Sequence, residues 1–192
     1  MSNADSKLQF KIAETPEEFD QINKLNYKTF VEEIQQHPQN PKKYLVDKFH
    51  TENTYVICLE NGIVIAMVSV RGNRPFSLDA KVKNLDSFFY KNFKPCEIRL
   101  LSIETKRRSG RILQGLLTKL ALVCIKKGFD IALISGIVEQ EKLYLRLGFL
   151  PFGNPVKSGQ VYYQPMYKKL EDLTHEWAEK FLKDAITEEN SG

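Results

Sequence analysis

The chain has 192 residues, 28 Lys and Arg against 24 Asp and Glu, and a formal charge of +4. That excess is too small to imply nucleic-acid binding by itself. A composition of 42% hydrophobic and 27% charged residues excludes wholesale disorder and fits one globular domain.

No apolar run approaches the roughly 20 residues needed to span a bilayer. Residues 1–20 lack a basic start followed by an apolar stretch. A cytoplasmic protein without a membrane span is therefore expected. Cys58, Cys96 and Cys124 are widely spaced among apolar residues, and His37, His50 and His175 are scattered. This pattern predicts no disulfide framework and no metal site.

Residues 1–7 read as a disordered start, with Ser2-Asn3-Ala4 as an expression-vector scar. Leu8 to Ile12 alternates apolar and polar, which predicts a strand. Thr15-Pro16-Glu17-Glu18 is a helix start, with a capping threonine, a first-turn proline and acids at the positive end of the dipole. Tyr27, Phe30, Val31 and Ile34 give that helix one apolar face. His37-Pro38 and Asn40-Pro41 end it, and a short second helix is expected over 42–50. Thr54 to Leu59 and Ile63 to Val70 flank Asn61-Gly62, a hairpin signal. Residues 71–95 are irregular.

Glu97 to Glu104 predicts a central strand. Gly110 to Lys127 predicts an amphipathic helix with Ile112, Leu113, Leu116, Leu117, Leu120 and Cys124 on one side and Gly128 as its cap. A buried strand over 131–135, a helix over 138–147 and final strands at 149–150 and 161–167 follow. Residues 8–168 thus read as one domain of α/β (α+β) class. Its sheet is mixed and mostly antiparallel, with helices on both faces. Residues 169–192 read as a C-terminal tail helix with Leu173, Trp177, Phe181 and Leu182 at helical spacing. The tail either packs on the domain or leads as a linker toward a domain outside this chain.

The segment with chemical content is the loop Thr105-Lys106-Arg107-Arg108-Ser109-Gly110-Arg111. A strand feeding a basic, glycine-containing turn into a helix N-terminus makes an anion site suited to a pyrophosphate. A solvated basic turn is the equal alternative. The loop lacks the Lys-Ser/Thr of a P-loop and the three glycines of a dinucleotide fingerprint.

Arg107-Arg108-Ser109-Gly110-Arg111-Ile112 resembles the Gln/Arg-x-x-Gly-x-Gly/Ala pyrophosphate motif of the GNAT acyl-CoA N-acyltransferase superfamily. Ile112 departs from the last position, which is small in that family. Tyr144-Leu145-Arg146-Leu147-Gly148-Phe149 resembles its Tyr-x-x-x-Gly-Phe signature, and the element order matches. The resemblance implies a GNAT-like fold over 8–168 and acetyl-CoA or another acyl-CoA as acyl donor. It implies a primary amine of a small molecule or amino acid as acceptor. Leu101, Ser102 and Ile103 would pair with the pantetheine arm like an added strand. Arg107, Arg108, Ser109, Gly110, Arg111 and Ile112 would hold the pyrophosphate. Tyr144 would protonate the leaving thiolate, and Glu97 would accept the amine proton. Beside these roles, Tyr144 also reads as a core-edge helix residue. Glu97 also reads as an ion-pair partner of Arg99 or a nearby lysine.

Arg74-Pro75-Phe76-Ser77-Leu78-Asp79, followed later by Glu97-Ile98-Arg99-Leu100, resembles the acyl-homoserine-lactone synthase and N-acyl amino acid synthase branch. That branch implies long acyl donors or an acyl carrier protein as partner, met by a basic face of Arg99, Lys106, Arg107, Arg108 and Arg111. Phe76, Leu78, Leu85, Phe88, Phe89 and Phe93 then either line an acyl tunnel or pack as a lid, with a helix near 84–92. A non-catalytic module sensing CoA or an amine is the third reading. Strand 161–168 either pairs across a homodimer or closes the sheet. Glu32 and Glu33 either attract a cation or form a solvated helix face.

Overall fold

The computed structural model describes residues 7–89, 93–158 and 161–171. Strand β1 (Leu8–Ile12) leads into helix α1 (Pro16–Tyr27) through a capping box. Thr15 Oγ1 accepts the Glu18 amide at 3.2 Å, and the Glu18 carboxylate accepts the Glu14 and Thr15 amides at 2.7 and 3.2 Å. Donors that the first turn cannot pair internally are thereby satisfied. The predicted helix does not keep one period to Ile34. It widens into a π turn at Lys28–Glu33 that still buries Val31 and turns Thr29 inward.

The short helix expected over 42–50 is absent, and turns take its place. Local side chains compete for the backbone there. Asn40 Nδ2 donates to the Tyr44 carbonyl at 3.0 Å, and Asp47 Oδ1 accepts the Phe49 amide at 2.9 Å.

Strands β2 (Thr54–Glu60) and β3 (Ile63–Arg71) form the expected hairpin. Asn61 at φ 51° and Gly62 at φ 80° supply the paired left-handed residues that this turn needs. Among its described residues, the stretch to the next strand holds a one-turn helix at Leu85–Phe88, entered through a left-handed Asn84. Strand β4 (Pro95–Ile103), a turn at Thr105–Arg107, helix α2 (Gly110–Lys126) and strand β5 (Ile131–Ile137) follow. The helix expected over 138–147 divides into a turn at Val138–Gln140 and a shorter α3 (Glu141–Arg146). Strands β6 (Leu150–Pro151), β7 (Val156–Ser158) and β8 (Val161–Lys169) complete the fold. At three residues β7 is too short for a periodic signal. Apart from Glu171, the expected tail helix lies outside the described residues.

The sheet runs β1-β2-β3-β4-β5-β8-β6, with β7 also on β8. Only β4 and β5 pair in parallel. Strand β8 pairs β5 along one edge and β6 and β7 along the other. The segment 161–168 therefore closes the sheet within the chain.

The alternating strand residues fill two faces. Under α2, Ile112, Leu116, Leu120 and Cys124 pack with Val56, Cys58, Ala66, Val68 and Cys96. Under α1, Ile22 and Leu25 pack with Tyr55, Ile57 and Met67. No helix of the described residues is long and apolar enough to cross a membrane. Leu116 is fully buried in the α2 layer, so Leu116→Ala should cost about 2–5 kcal/mol, read as a lower urea midpoint at unchanged slope.

Candidate active site

The pairing of β4 with β5 covers only Pro95↔Ile131, Cys96↔Ala132 and Glu97↔Leu133. Beyond these three pairs the strands part, although β4 continues to Ile103 and β5 to Ile137. The cause lies in β4. Between Ser69↔Arg99 and Met67↔Ser102, β4 carries one more residue than β3, and Leu100 takes φ 58°. This bulge bends β4 away from its parallel neighbour. The facing edges of Ile98–Ile103 and Ile134–Ile137 have no strand partner among the described residues. An opened sheet of this kind presents backbone donors and acceptors to an extended ligand.

The split leads to the N-terminus of α2. Ser109 caps it, accepting the Ile112 amide at 3.4 Å. The Gly110 and Arg111 amides have no partner inside the helix. Ile112, where the GNAT motif has a small residue, is 5% exposed and points into the α2 core. Its side chain therefore does not fill the loop. Arg107 pairs with Glu60 at 2.5 Å, and Arg108 pairs with Glu33 and donates from Nε to the Ile103 carbonyl at 3.3 Å. Thr105 Oγ1 also donates to Glu33, at 2.7 Å. Glu33 is thus an internal anion on the loop, and Glu32 pairs with Lys43 at 3.7 Å. Two further links join the π turn to the end of β4: Lys28 to Glu104 at 2.9 Å, and the Thr29 hydroxyl to Ser102 Oγ.

At the other side of the split stands Tyr144 on α3. Its ring lies so close to Gly136 that a Cβ there would sit 2.8 Å from it. Its hydroxyl donates to Gln140 Oε1 at 3.3 Å. Burial pushes the Tyr144 phenol above its ordinary pKa, so it stays protonated.

Glu97 is fully buried. Its carboxylate accepts the Ser77 amide at 2.9 Å, the Ser77 hydroxyl and the Leu78 amide at 3.2 Å, and Arg99 Nε lies 3.6 Å away. These contacts make Glu97 the anchor of the 76–79 turn and match its ion-pair reading. Arg99 also pairs with Asp47 at 2.8 Å, and Arg71 and Arg99 stack on Phe49 at 3.5 and 4.8 Å. Burial raises the Asp47 pKa, and the Arg99 charge and hydrogen bonds outweigh it, holding the carboxyl below its usual value.

Sequence reasoning missed Lys81. Its Nζ donates to Ser135 Oγ at 2.8 Å and sits 4.1 Å from the centre of the Tyr163 ring. Ser135 is on the part of β5 that has left β4 and pairs only with β8, and Tyr163 lies opposite Ile137. Burial lowers the Lys81 pKa to about 8, with Glu97 opposing and Arg99 and Lys48 assisting the shift. Lys81 sits in an irregular segment with no sequence period, so nothing local marked it.

Phe76, Leu78 and Leu85 are buried against Ile131 and Leu133, with Phe89 and Phe93 against that cluster. Phe88 and Phe89 each stack on Phe152 at 5.2 Å. Phe76, Leu78 and Leu85 are packed core while Phe88 stays 45% exposed, an arrangement that agrees with the lid reading of these aromatics. A cavity of about 250 Å³ lies under α2, lined by Ile98, Leu120, Ala121, Cys124 and Phe149, with Arg146 and Lys168 on its wall. Cys96 and Cys124, distant in sequence, bring their sulfurs to 4.0 Å beside it. No group of His, Cys, Asp and Glu able to hold a metal occurs among the described residues.

The Lys81 pKa generates a pH prediction. Its folded value lies below the roughly 10.4 of a free lysine, so the unfolded chain binds more protons between pH 8 and 10 and stability rises with pH there. The urea midpoint should climb across that window by more in the wild type than in Lys81→Met.

No family model matches this chain, and no curated sequence does. Solved structures do match in fold. The N-acyl amino acid synthase FeeM from uncultured soil microbes superposes with a TM-score of 0.71 at 16% identity, covering 88% of this chain and 94% of that one. The CoA-dependent acyl-homoserine lactone synthase BjaI gives 0.67 at 17% identity, over 82% and 80%. An acyl-CoA N-acyltransferase from Pseudomonas aeruginosa gives 0.60 at 13%, over 84% and 99%. At these identities the likeness is one of architecture: the chain carries a GNAT-like fold.

Proposed function

We propose that the protein is an N-acyltransferase moving an acyl group from acyl-CoA directly to the primary amine of a small molecule or amino acid. The observation that carries this is the parting of β4 from β5 directly before a capped, basic helix N-terminus. The residues present fit the donor. The backbone of Leu101, Ser102 and Ile103 offers an open strand edge to the pantetheine arm. Gly110 and Arg111 offer first-turn amides to the pyrophosphate between the Ser109 cap and Ile112, flanked by Arg107 and Arg108.

The chemistry follows from the residues around the split. The amine nitrogen attacks the thioester carbonyl, the carbon–sulfur bond breaks, and the departing sulfur takes the proton of the Tyr144 phenol. Neutral Lys81 accepts the proton lost by the amine. Glu97, for which the family resemblance implies the base role, acts through position: it holds the turn that carries Lys81. Tyr144→Phe should lower turnover by about 10²–10⁴-fold and leave donor binding unchanged. Equal turnover in the variant sinks the acid assignment, and no turnover in the wild type with any amine favours a sensing module.

A specific observation favours a donor longer than acetyl. The apolar cavity under α2 adjoins Ile98, the first β4 residue past the paired segment. Long-chain acyl-CoA should therefore raise the melting temperature more than acetyl-CoA at equal excess; about 2.7 kcal/mol is expected at one hundred times the dissociation constant. Acyl carrier protein as donor predicts no shift with any CoA.

Glu33 competes with phosphate for Arg108 and Thr105. Glu33→Gln should tighten CoA binding by up to about fivefold, as expected for a partly exposed ion pair. Calorimetry checks this, and weaker binding in the variant would show that Glu33 supports the loop instead of blocking it.

A further inference from the structure

Ser135 is the only hydroxyl-bearing residue of β5, and it lies where β5 has left β4. Side chains alternate between faces along a strand. Ala132 and Ile134 belong to the α2 layer, and Leu133 packs with Phe76 and Leu78 on the opposite face. Ser135 therefore shares the face of Leu133. Gly136 takes the α2 face, where the Tyr144 ring covers it. A carbonyl held in the split would have the Ser135 hydroxyl on one side of β5 and the Tyr144 phenol on the other. Ser135 is half-buried, so its hydroxyl stays within reach of a ligand there.

A serine hydroxyl is a poor nucleophile until a neighbouring base takes its proton. Lys81 is placed to do so, with Nζ 2.8 Å from Ser135 Oγ. It meets that hydroxyl and the Tyr163 ring, and among the described residues no carboxylate forms an ion pair with it. Its amide donates to the Leu78 carbonyl at 2.9 Å, in the turn that Glu97 anchors. Burial brings its pKa to about 8, which makes the neutral amine accessible near neutral pH. We propose that Ser135 and Lys81 form a nucleophile–base pair that takes an acyl group as an ester on Ser135 Oγ and passes it to water when no amine is bound. Neutral Lys81 takes the hydroxyl proton, Oγ bonds to the carbonyl carbon, the carbon–sulfur bond breaks, and the sulfur takes the Tyr144 proton. Water then attacks the ester carbonyl. Its proton goes to the Tyr144 phenolate, and the Lys81 ammonium returns a proton to Ser135 Oγ as that carbon–oxygen bond breaks. The products are a carboxylic acid and a thiol, and every group of the protein is restored. With a CoA thioester the reaction rests on the donor site proposed above. With a simple activated ester it needs the pair alone.

The test gives the whole chain octanoyl-CoA or p-nitrophenyl octanoate without any amine. The expected result is a burst of thiol or nitrophenolate stoichiometric with the protein, followed by slow turnover. After acid quenching, peptide mass spectrometry should map a hydroxylamine-labile acyl group to Ser135. Ser135→Ala should lose the burst and the label. Lys81→Met should slow acylation by about 10²–10⁴-fold, with the far-ultraviolet dichroism of both variants unchanged. Acyl-Ser135 from the nitrophenyl ester, with no melting shift from octanoyl-CoA, supports the pair and sinks the CoA site. No acyl-Ser135 from either probe overturns the pair, and a melting shift with octanoyl-CoA in that case leaves the transferase reading standing. A label confined to another residue, such as a hydroxylamine-stable amide on Lys81, also overturns it, as does a burst undiminished in Ser135→Ala.

Discussion

The rest of the site depends on one residue too many in β4. The extra residue at Leu100 costs the sheet several parallel hydrogen bonds between β4 and β5. That loss is tolerable because each strand keeps its other neighbour: β3 holds β4, and β8 holds β5 along seven residue pairs. The sheet is therefore continuous at one end and open at the other. Open backbone edges are costly when buried and useful when a ligand can pair with them. The groups to which the proposed reading gives chemistry collect around the opening: the α2 cap at its mouth, Tyr144 and Lys81 near its β5 wall, and the cavity at its base.

The two faces of the sheet divide the work. Under α2 the packing is apolar, and it leaves a cavity beside the split. Under α1 the layer is apolar near the hairpin and charged near the split, where Arg71 and Arg99 stack on Phe49 and pair with Glu52, Asp47 and Glu97. Buried charges of both signs in such number are weak evidence of stability, because desolvation offsets most of their attraction. They do fix geometry. Glu97 ties the 76–79 turn to β4, and that turn brings Lys81 to Ser135. On the proposed reading the α2 face takes the acyl donor, and the charged face governs proton traffic on the acceptor side.

Legibility in the sequence followed the range of the interactions. The Asn61-Gly62 hairpin, the α1 capping box and the α2 stripe are fixed within a few residues, and each was readable. So was the β4–loop–α2 unit, because strand, basic turn and helix are contiguous, and Tyr144 was marked by the Gly148-Phe149 that follows it. The helix expected over 42–50 does not form because Asn40 and Asp47 side chains bond to nearby backbone there, a choice that hydrophobic period does not report. The aromatics of 76–93 could be grouped but not placed. Whether they line a tunnel or fill a core depends on Ile131, Leu133 and Phe152, which arrive from distant parts of the chain. Lys81 was invisible for the same reason, since Ser135, Tyr163 and Glu97 define it.

The basic loop shows why a motif alone does not measure affinity. Its four cations are adjacent in sequence, but two are already engaged by Glu60 and Glu33. On the proposed reading, a phosphate entering the loop exchanges one anion for another at Arg108, and the gain is the difference between the two pairs. The helix amides contribute without such an exchange, because the Gly110 and Arg111 N–H groups have no internal partner to give up. The free dipole end, more than the number of arginines, is thus the part of this site with unspent capacity for an anion. The Glu33 link adds a structural consequence. It joins the loop to the π turn that also reaches Ser102 and Glu104, so an anion displacing Glu33 loosens the segment that borders the split.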